Sequence, residues 1–220
     1  MTIAVYTTLF GPYDHILPAL HDEADYILFT DQEGVEAPGW QVRQVKRPHP
    51  DGCYASRFYF DQASMVLPEY YLTIMHGANA QLIMPPCGLV AMLRPDHDIA
   101  CFAHAHRTNV YEEAKACIRF RKDDKAVIQR QMERYRMAHF PESVRLSTCG
   151  LLVRRNTRRL RQFEAAWWAE VQAGSCRDQL SFDYCRWRLG MPITRIPGNI
   201  NKSPHILKLE RHRRRGDVAS

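Results

Sequence analysis

Asp178 stands between Arg177 and Gln179 at the opening of an otherwise apolar helical run, Leu180-Ser181-Phe182. A carboxylate in that setting can take a proton from an acceptor hydroxyl or hold sugar hydroxyls. Its structural alternative is a helix cap held in a salt bridge. Far away in sequence, Ile3-Ala4-Val5-Tyr6-Thr7-Thr8-Leu9-Phe10-Gly11 is an apolar, β-branched run that ends in small polar residues and a glycine. That pattern predicts a buried first strand feeding a ligand loop. Asp31 ends a second apolar run and either caps its turn or reaches a ligand. Arg57 follows a loop and precedes a helix, where a guanidinium fork can clamp a diphosphate or simply lie in solvent. Together these chemistries suit an enzyme of sugar nucleotides.

The elements that must position these groups alternate between strand and helix. Tyr26 to Asp31 reads as a second parallel strand and Trp40 to Val45 as a half-exposed third. Ser56 to Leu67, closed by Pro68, has mixed helical spacing. Tyr70 to Ile83 is a buried strand region interrupted at His76-Gly77-Ala78-Asn79, where backbone can approach a ligand closely. Ile99 to His106 is the next strand and Val110 to Cys117 starts a helix. Asp123 or Asp124 caps a helix carrying Ile128, Met132 and Tyr135. Leu151-Leu152-Val153 forms a short buried strand. Asn156 then caps a helix that runs through Trp167 and Trp168 to Val171 with Gly174 beyond it. Asp178 to Leu189 is the last helix. The pattern predicts one α/β domain over residues 1–207, Rossmann-like, with a mostly parallel sheet, helices on both faces and the ligand at the carboxyl ends of the strands. That rim gathers Thr7, Thr8, Asp31 and Asn79. Residues 208–220 read as a basic, flexible tail.

A chain of 220 residues can bury one substantial core, and its net charge of +6 and pI near 9.0 favour polyanionic partners. Seven cysteines scattered without regular spacing suggest reduced thiols and a reducing cytoplasm. No run approaches the roughly 20 apolar residues needed to span a bilayer, and none resembles a leader, so a soluble, unprocessed chain without a membrane partner is expected. Cys101 falls on the opposite strand face from His104 and His106, which argues against a zinc cluster.

The motifs Ala4-Val5-Tyr6-Thr7 with Gly11 and Tyr13-Asp14, Phe29-Thr30-Asp31, His104 and Arg107 followed by Tyr111-Glu112-Glu113-Ala114, and Trp167-Trp168 before Arg177-Asp178-Gln179-Leu180-Ser181-Phe182 form a recognisable set. The chain resembles the GT-A-type glycosyltransferase-like family long catalogued as a domain of unknown function. That family has plant members linked to cell-wall polysaccharide synthesis and further members in bacteria and phages. The resemblance implies a UDP-sugar donor held by the first strand and its loop (Thr7, Thr8, Phe10, Tyr13), with the base and ribose near Asp31. It makes His104, Arg107, Arg57 and Asn79 further donor contacts and places Asp178, Arg177 and Glu113 in the catalytic set. It also implies an Asp-x-Asp-like or Asp-x-Asn motif for Mn²⁺ or Mg²⁺ where this chain has Gly77 and Asn79. The loss of a carboxylate there makes a poor site for a hard cation. His205 lies where some related transferases place a late metal ligand.

The acceptor is expected to carry a hydroxyl, on a glycan or on a modified base of phage-type DNA. Arg154, Arg155, Arg158, Arg159 and Arg161, with Arg213 and Arg214 of the tail, are either a solvated face or a phosphate track for DNA. Two rival functions remain beside the transferase: a catalytically silent nucleotide-sugar or carbohydrate-binding protein, suggested by Gly77, and a nucleic-acid-binding protein without sugar chemistry.

Overall fold

In the computed structural model, described over residues 2–11 and 15–211, seven strands form one sheet. These are β1 (Ile3–Leu9), β2 (Asp25–Thr30), β3 (Gln41–Gln44), β4 (Leu72–His76), β6 (Ile99–Ala103), β7 (Ser147–Arg155) and β8 (Thr194–Ile196). Their order is β3-β2-β1-β4-β7-β6-β8. Only β7 runs against the rest, so the other six strands end at one rim, where β7 begins. The mostly parallel α/β sheet expected from the alternation is present. Its central strands are buried along their whole length, as a sheet covered on both faces requires.

The covering layers are unequal. Helices α1 (Gly52–Asp61), α2 (Ala63–Val66), α4 (Val110–Arg119), α5 (Lys125–Met137), α6 (Arg158–Ala173) and α7 (Gln179–Arg188) pack their apolar sides against one face, with Ala4, Tyr6, Met75 and Leu152 from the strands. The other face carries α3 (Pro86–Ala91), a 3-10 turn at Ile200–Lys202 and a two-stranded ribbon of β5 (Ala80–Leu82) and β9 (Leu207–Leu209). Strand alternation allots the side chains: Ile3 and Val5 face this second layer while Ala4 and Tyr6 face the first.

Several expected boundaries move, each for a local reason. Helix α1 begins four residues before Ser56, because the Asp51 carboxylate accepts from the Cys53 and Tyr54 amides, and it breaks at Gln62. Thr157, not Asn156, caps α6 through the Leu160 amide. Asp124 caps α5 through the Val127 amide, as anticipated. The strand expected at 151–153 spans nine residues, and that expected at 99–106 stops at Ala103. Strand β9 pairs with β5 and carries the fold past the boundary expected at residue 207. Residues 12–14 and 212–220, with Tyr13, Arg213 and Arg214, lie outside the described residues.

The cysteine expectation is corrected. Cys53 at the start of α1 and Cys176, two residues before Asp178, form a disulfide across 123 residues, while Cys87, Cys101, Cys117, Cys149 and Cys185 are free. Linear spacing carries no record of a pair that meets only after the sheet has formed. A cross-link closing so long a loop restricts the unfolded chain. Cys53→Ser should therefore lower stability by roughly 2–4 kcal/mol in denaturant titration, and reductant should bring the wild type to the same midpoint.

Candidate active site

The first strand ends in side chains that tie elements together. Thr7 Oγ1 donates to the His76 carbonyl at 2.8 Å and joins β1 to β4. Thr8 Oγ1 lies 2.7 Å from Ser56 Oγ and anchors α1 at the rim. Phe10 is buried and stacks on Tyr59 with 5.4 Å between ring centroids. Asp31 accepts from the Gly11 amide at 3.4 Å and pairs with Arg47, while Gln32 Nε2 donates to the Gly11 carbonyl at 2.7 Å. Gly11 adopts φ +77, a left-handed conformation that a side chain would strain. Asp31 thus sits at the expected strand end and holds the loop after β1 in shape.

At the end of β4, Gly77 leaves no carboxylate to meet a cation. Asn79 Nδ2 donates to the Glu210 carbonyl at 2.8 Å, and the Asn79 carbonyl accepts from the Glu210 amide at 2.8 Å. Its Oδ1 lies so close to Gly77 that a Cβ there would sit 3.0 Å away. The His76 imidazole is buried, its Nε2 has no partner among the described residues, and burial pushes it down to about 4. His205 is exposed, and no three His, Cys, Asp or Glu side chains among the described residues gather into a set that could hold a metal. These residues do not fit the divalent cation that the fold family implies.

The catalytic candidates converge instead where α1, α4 and α7 all begin. Asp178 makes the capped, salt-bridged arrangement given above as its structural alternative: Oδ1 accepts from the Gln179 amide at 2.9 Å, and Oδ2 accepts from Arg57 Nη1 at 2.9 Å. Its carbonyl accepts from Trp167 Nε1 at 3.0 Å, so one of the two tryptophans serves the core and fixes the loop. That loop is held from three sides. Tyr54 donates its hydroxyl to the Gly174 carbonyl, the Asp123 carboxylate accepts from Ser175 Oγ and the Cys176 amide, and the disulfide binds Cys176 to α1.

Arg177 leads from this group to the next. Its guanidinium lies beside the Cys117 thiol, and its Nε is buried without a partner among the described residues. Burial and the neighbouring Glu113 carboxylate push that thiol up to about 11. Glu113 is buried, pairs with Arg107, accepts from Cys117 Sγ at 3.5 Å and lies 3.9 Å from His104 Nε2. His104 Nδ1 accepts from the backbone amides of His106 and Arg107, at 3.2 and 3.0 Å, and its Nε2 lies 3.0 Å from Arg107 Nη2, so both ring nitrogens face donors. Burial, then the Arg107 charge, lowers its proton affinity and keeps it neutral. Thus contacts run along the rim from Thr8 and Ser56 through Arg57, Asp178, Arg177, Cys117, Glu113 and Arg107 to His104, and Asp31, Asn79 and His205 make no hydrogen bond to these groups among the described residues.

The basic track of the sequence reading is corrected. Arg154 is fully buried: it pairs with Glu164 at 3.0 Å, donates to the Phe60 carbonyl at 2.8 Å and contacts the Tyr6 hydroxyl. Arg155 donates to the carbonyls of Arg94, Pro95 and His97, Arg159 pairs with Asp98 at 2.6 Å, and Arg161 donates to Asn156. Arg158 is exposed. Arg154 and Arg155 thus serve the fold, while Arg158, Arg159 and Arg161 remain at the surface. Removing one member of a buried pair leaves the other charge uncompensated. Glu164→Ala should cost about 3–5 kcal/mol in urea denaturation, against under about 1 kcal/mol for Arg158→Ala at the surface.

The alternation of strand and helix, the single reversed strand and the arc at the shared rim accord with comparisons to known proteins. The bifunctional glycosyltransferase WbbM, solved in its apo form, superposes with a TM-score of 0.51 over 89% of this chain at 10% identity, a likeness of fold. This chain spans 39% of the length of that structure. Comparison with curated proteins gave no match. The sequence itself matches one family across residues 65–204, from the end of α2 to the turn before β9 and through β4, Glu113 and the Arg177-Asp178 loop. By that match over more than half its length, the chain belongs to the TOD1/MUCI70 glycosyltransferase-like domain family.

Proposed function

We propose that this protein is a glycosyltransferase that moves a sugar from a UDP-sugar to a hydroxyl of a glycan or small molecule. The observation that carries this reading is the arc of Arg57, Asp178, Arg177, Glu113, Arg107 and His104 at the strand ends of a glycosyltransferase-like domain. Parallel sheets bind ligands at that rim. The arginines supply fixed positive charge where the leaving diphosphate develops its own, and this preorganised electrostatics lowers the barrier. The Asp178 carboxylate accepts the proton of the acceptor hydroxyl or aligns that hydroxyl for attack. In the free protein Arg57 satisfies Asp178; a diphosphate that draws Arg57 to itself leaves Asp178 more basic as donor binding completes the site.

No step runs through a metal ion, because the residues at the end of β4 offer no ligand set for one. The arginine segment before and within α6 supports the fold, which favours a small or glycan acceptor over DNA. Membrane attachment finds no support in the helices, since none among the described residues is long and apolar enough to cross a bilayer.

Calorimetry with UDP tests the donor side. Arg57→Ala should weaken UDP binding by about 1.5–3 kcal/mol, the range for hydrogen bonds to charged groups, and unchanged affinity would remove Arg57 from the site. Asp178→Asn should retain UDP binding and lose turnover of UDP-glucose, used as the probe donor. Wild-type protein that binds UDP but neither hydrolyses nor transfers the sugar across a panel of UDP-sugars would identify a silent binding domain. UDP affinity should be equal in EDTA and in Mn²⁺. A large gain with Mn²⁺ would show that the donor phosphates complete a metal site that the side chains alone do not make.

A further inference from the structure

Asp61 occupies the last turn of α1, four residues after Arg57 and therefore on the same side of the helix. It is fully buried, and neither carboxyl oxygen has a hydrogen-bond partner among the described residues. Buried carboxylates in folded proteins are paired or hydrogen-bonded, so an ionised Asp61 would have an unusually poor environment. The groups facing it from the surrounding elements are Arg57 on α1, Tyr6 on β1, Cys149 and Arg154 on β7, Glu164 on α6, and Asp178 and Cys185 at α7. Each of the two cations already holds one carboxylate, while its own buried Nε has no partner among the described residues. Arg154 pairs with Glu164 at 3.0 Å, and Arg57 pairs with Asp178 at 2.9 Å. Two cations therefore face three carboxyl groups, and the one without a partner is Asp61.

We infer that Asp61 is a positioning residue that remains a neutral carboxylic acid, leaving Arg57 with Asp178 as its sole carboxylate partner, and that ionisation of Asp61 draws Arg57 one helical turn inward and away from Asp178. The charge count explains the arrangement: with Asp61 protonated the cluster is balanced, and with Asp61 ionised it holds one excess negative charge out of reach of solvent. Burial first, then the Asp178 charge, raise its proton affinity well above that of an ordinary aspartate, in the direction the geometry requires. The rim site thereby acquires an internal competitor for Arg57 that is silent while protonated. The positioning of the Arg57 and Asp178 pair follows from the fold alone; its consequence for turnover rests on the glycosyltransferase reading.

The thermal midpoint of the full chain, followed from about pH 4 to pH 9 for the wild type, Asp61→Asn, Asp178→Asn and the double variant, tests this without a substrate. A folded-state pKa raised above the unfolded value of about 3.9 gives a contribution fully present below that value and lost as pH rises toward the folded pKa. Asp61→Asn, which cannot ionise, should therefore gain on the wild type progressively as pH rises from about 4. In the Asp178→Asn background Arg57 is free to pair with Asp61, so the advantage of Asp61→Asn should shrink. Parallel curves for wild type and Asp61→Asn would overturn the neutral state, as would a carbon-13 carboxyl signal of Asp61 at the ionised position at pH 7. Full additivity of the two substitutions would overturn the competition for Arg57. With UDP-glucose as the probe, wild-type turnover should fall on the alkaline side and Asp61→Asn should remain flat; the same alkaline loss in both would remove Asp61 from the positioning of the site. If UDP-glucose is not turned over at all, the stability curves still decide the ionisation state, so failure of that donor reading is distinct from failure of this one.

Discussion

The structure depends on how it keeps one charge dry. Arg154 projects from β7 into the apolar layer with no exposed surface, and its guanidinium meets Glu164 of α6, the Tyr6 hydroxyl of β1 and the carbonyls that end α1. A lone cation in that position would be prohibitively costly, so its partners are fixed as firmly as any apolar contact. Because these partners come from three different elements, the charge sets the position of α1 and α6 on the sheet. Glu164 extends the link to α2 by accepting from the Ser64 amide at 2.9 Å.

The site at the rim is built outward from that seam. Once α1 is fixed at its inner end, its first turns carry Cys53, Ser56 and Arg57 to the strand ends, where they meet Cys176, Thr8 and Asp178. The loop that bears Arg177 and Asp178 is tied to α1 by a disulfide, a tyrosine hydroxyl and an ion pair, and to the start of α5 by Asp123. Such redundancy fixes the Arg177-Asp178 loop against α1 and α5. Helix α4 brings the second half of the arc, with Asn109 capping it and Glu113 turned inward to Arg107 and His104.

The polar seam also separates two kinds of arginine that composition alone counts together. A net charge of +6 suggests a basic surface, yet much of the positive charge near α6 is consumed internally by carboxylates and carbonyls. A smaller set of charges lies at the rim, where Arg57 pairs with Asp178, Arg107 pairs with Glu113 and Arg177 lies beside Cys117.

By itself the sequence determined the alternation of the main strands and helices, although α3, β8 and β9 left no signal that was read from it. Apolar runs of period two and caps such as Asp124 are local signals, and local signals survive in the linear chain. Asp178, Arg177, Glu113, Arg107 and His104 could be singled out as candidates because their motifs are short and stand at element ends. The tertiary structure alone decided which charges are spent. Nothing in the run of arginines at 154–161 distinguishes Arg154 in the core from Arg158 in solvent, since strand alternation and the position of α1 make that choice. The same holds for the union of Cys53 with Cys176 and for the isolation of Asp61. Each depends on groups more than 90 residues apart in the chain, and their energies arise only from the burial and proximity that the finished sheet imposes.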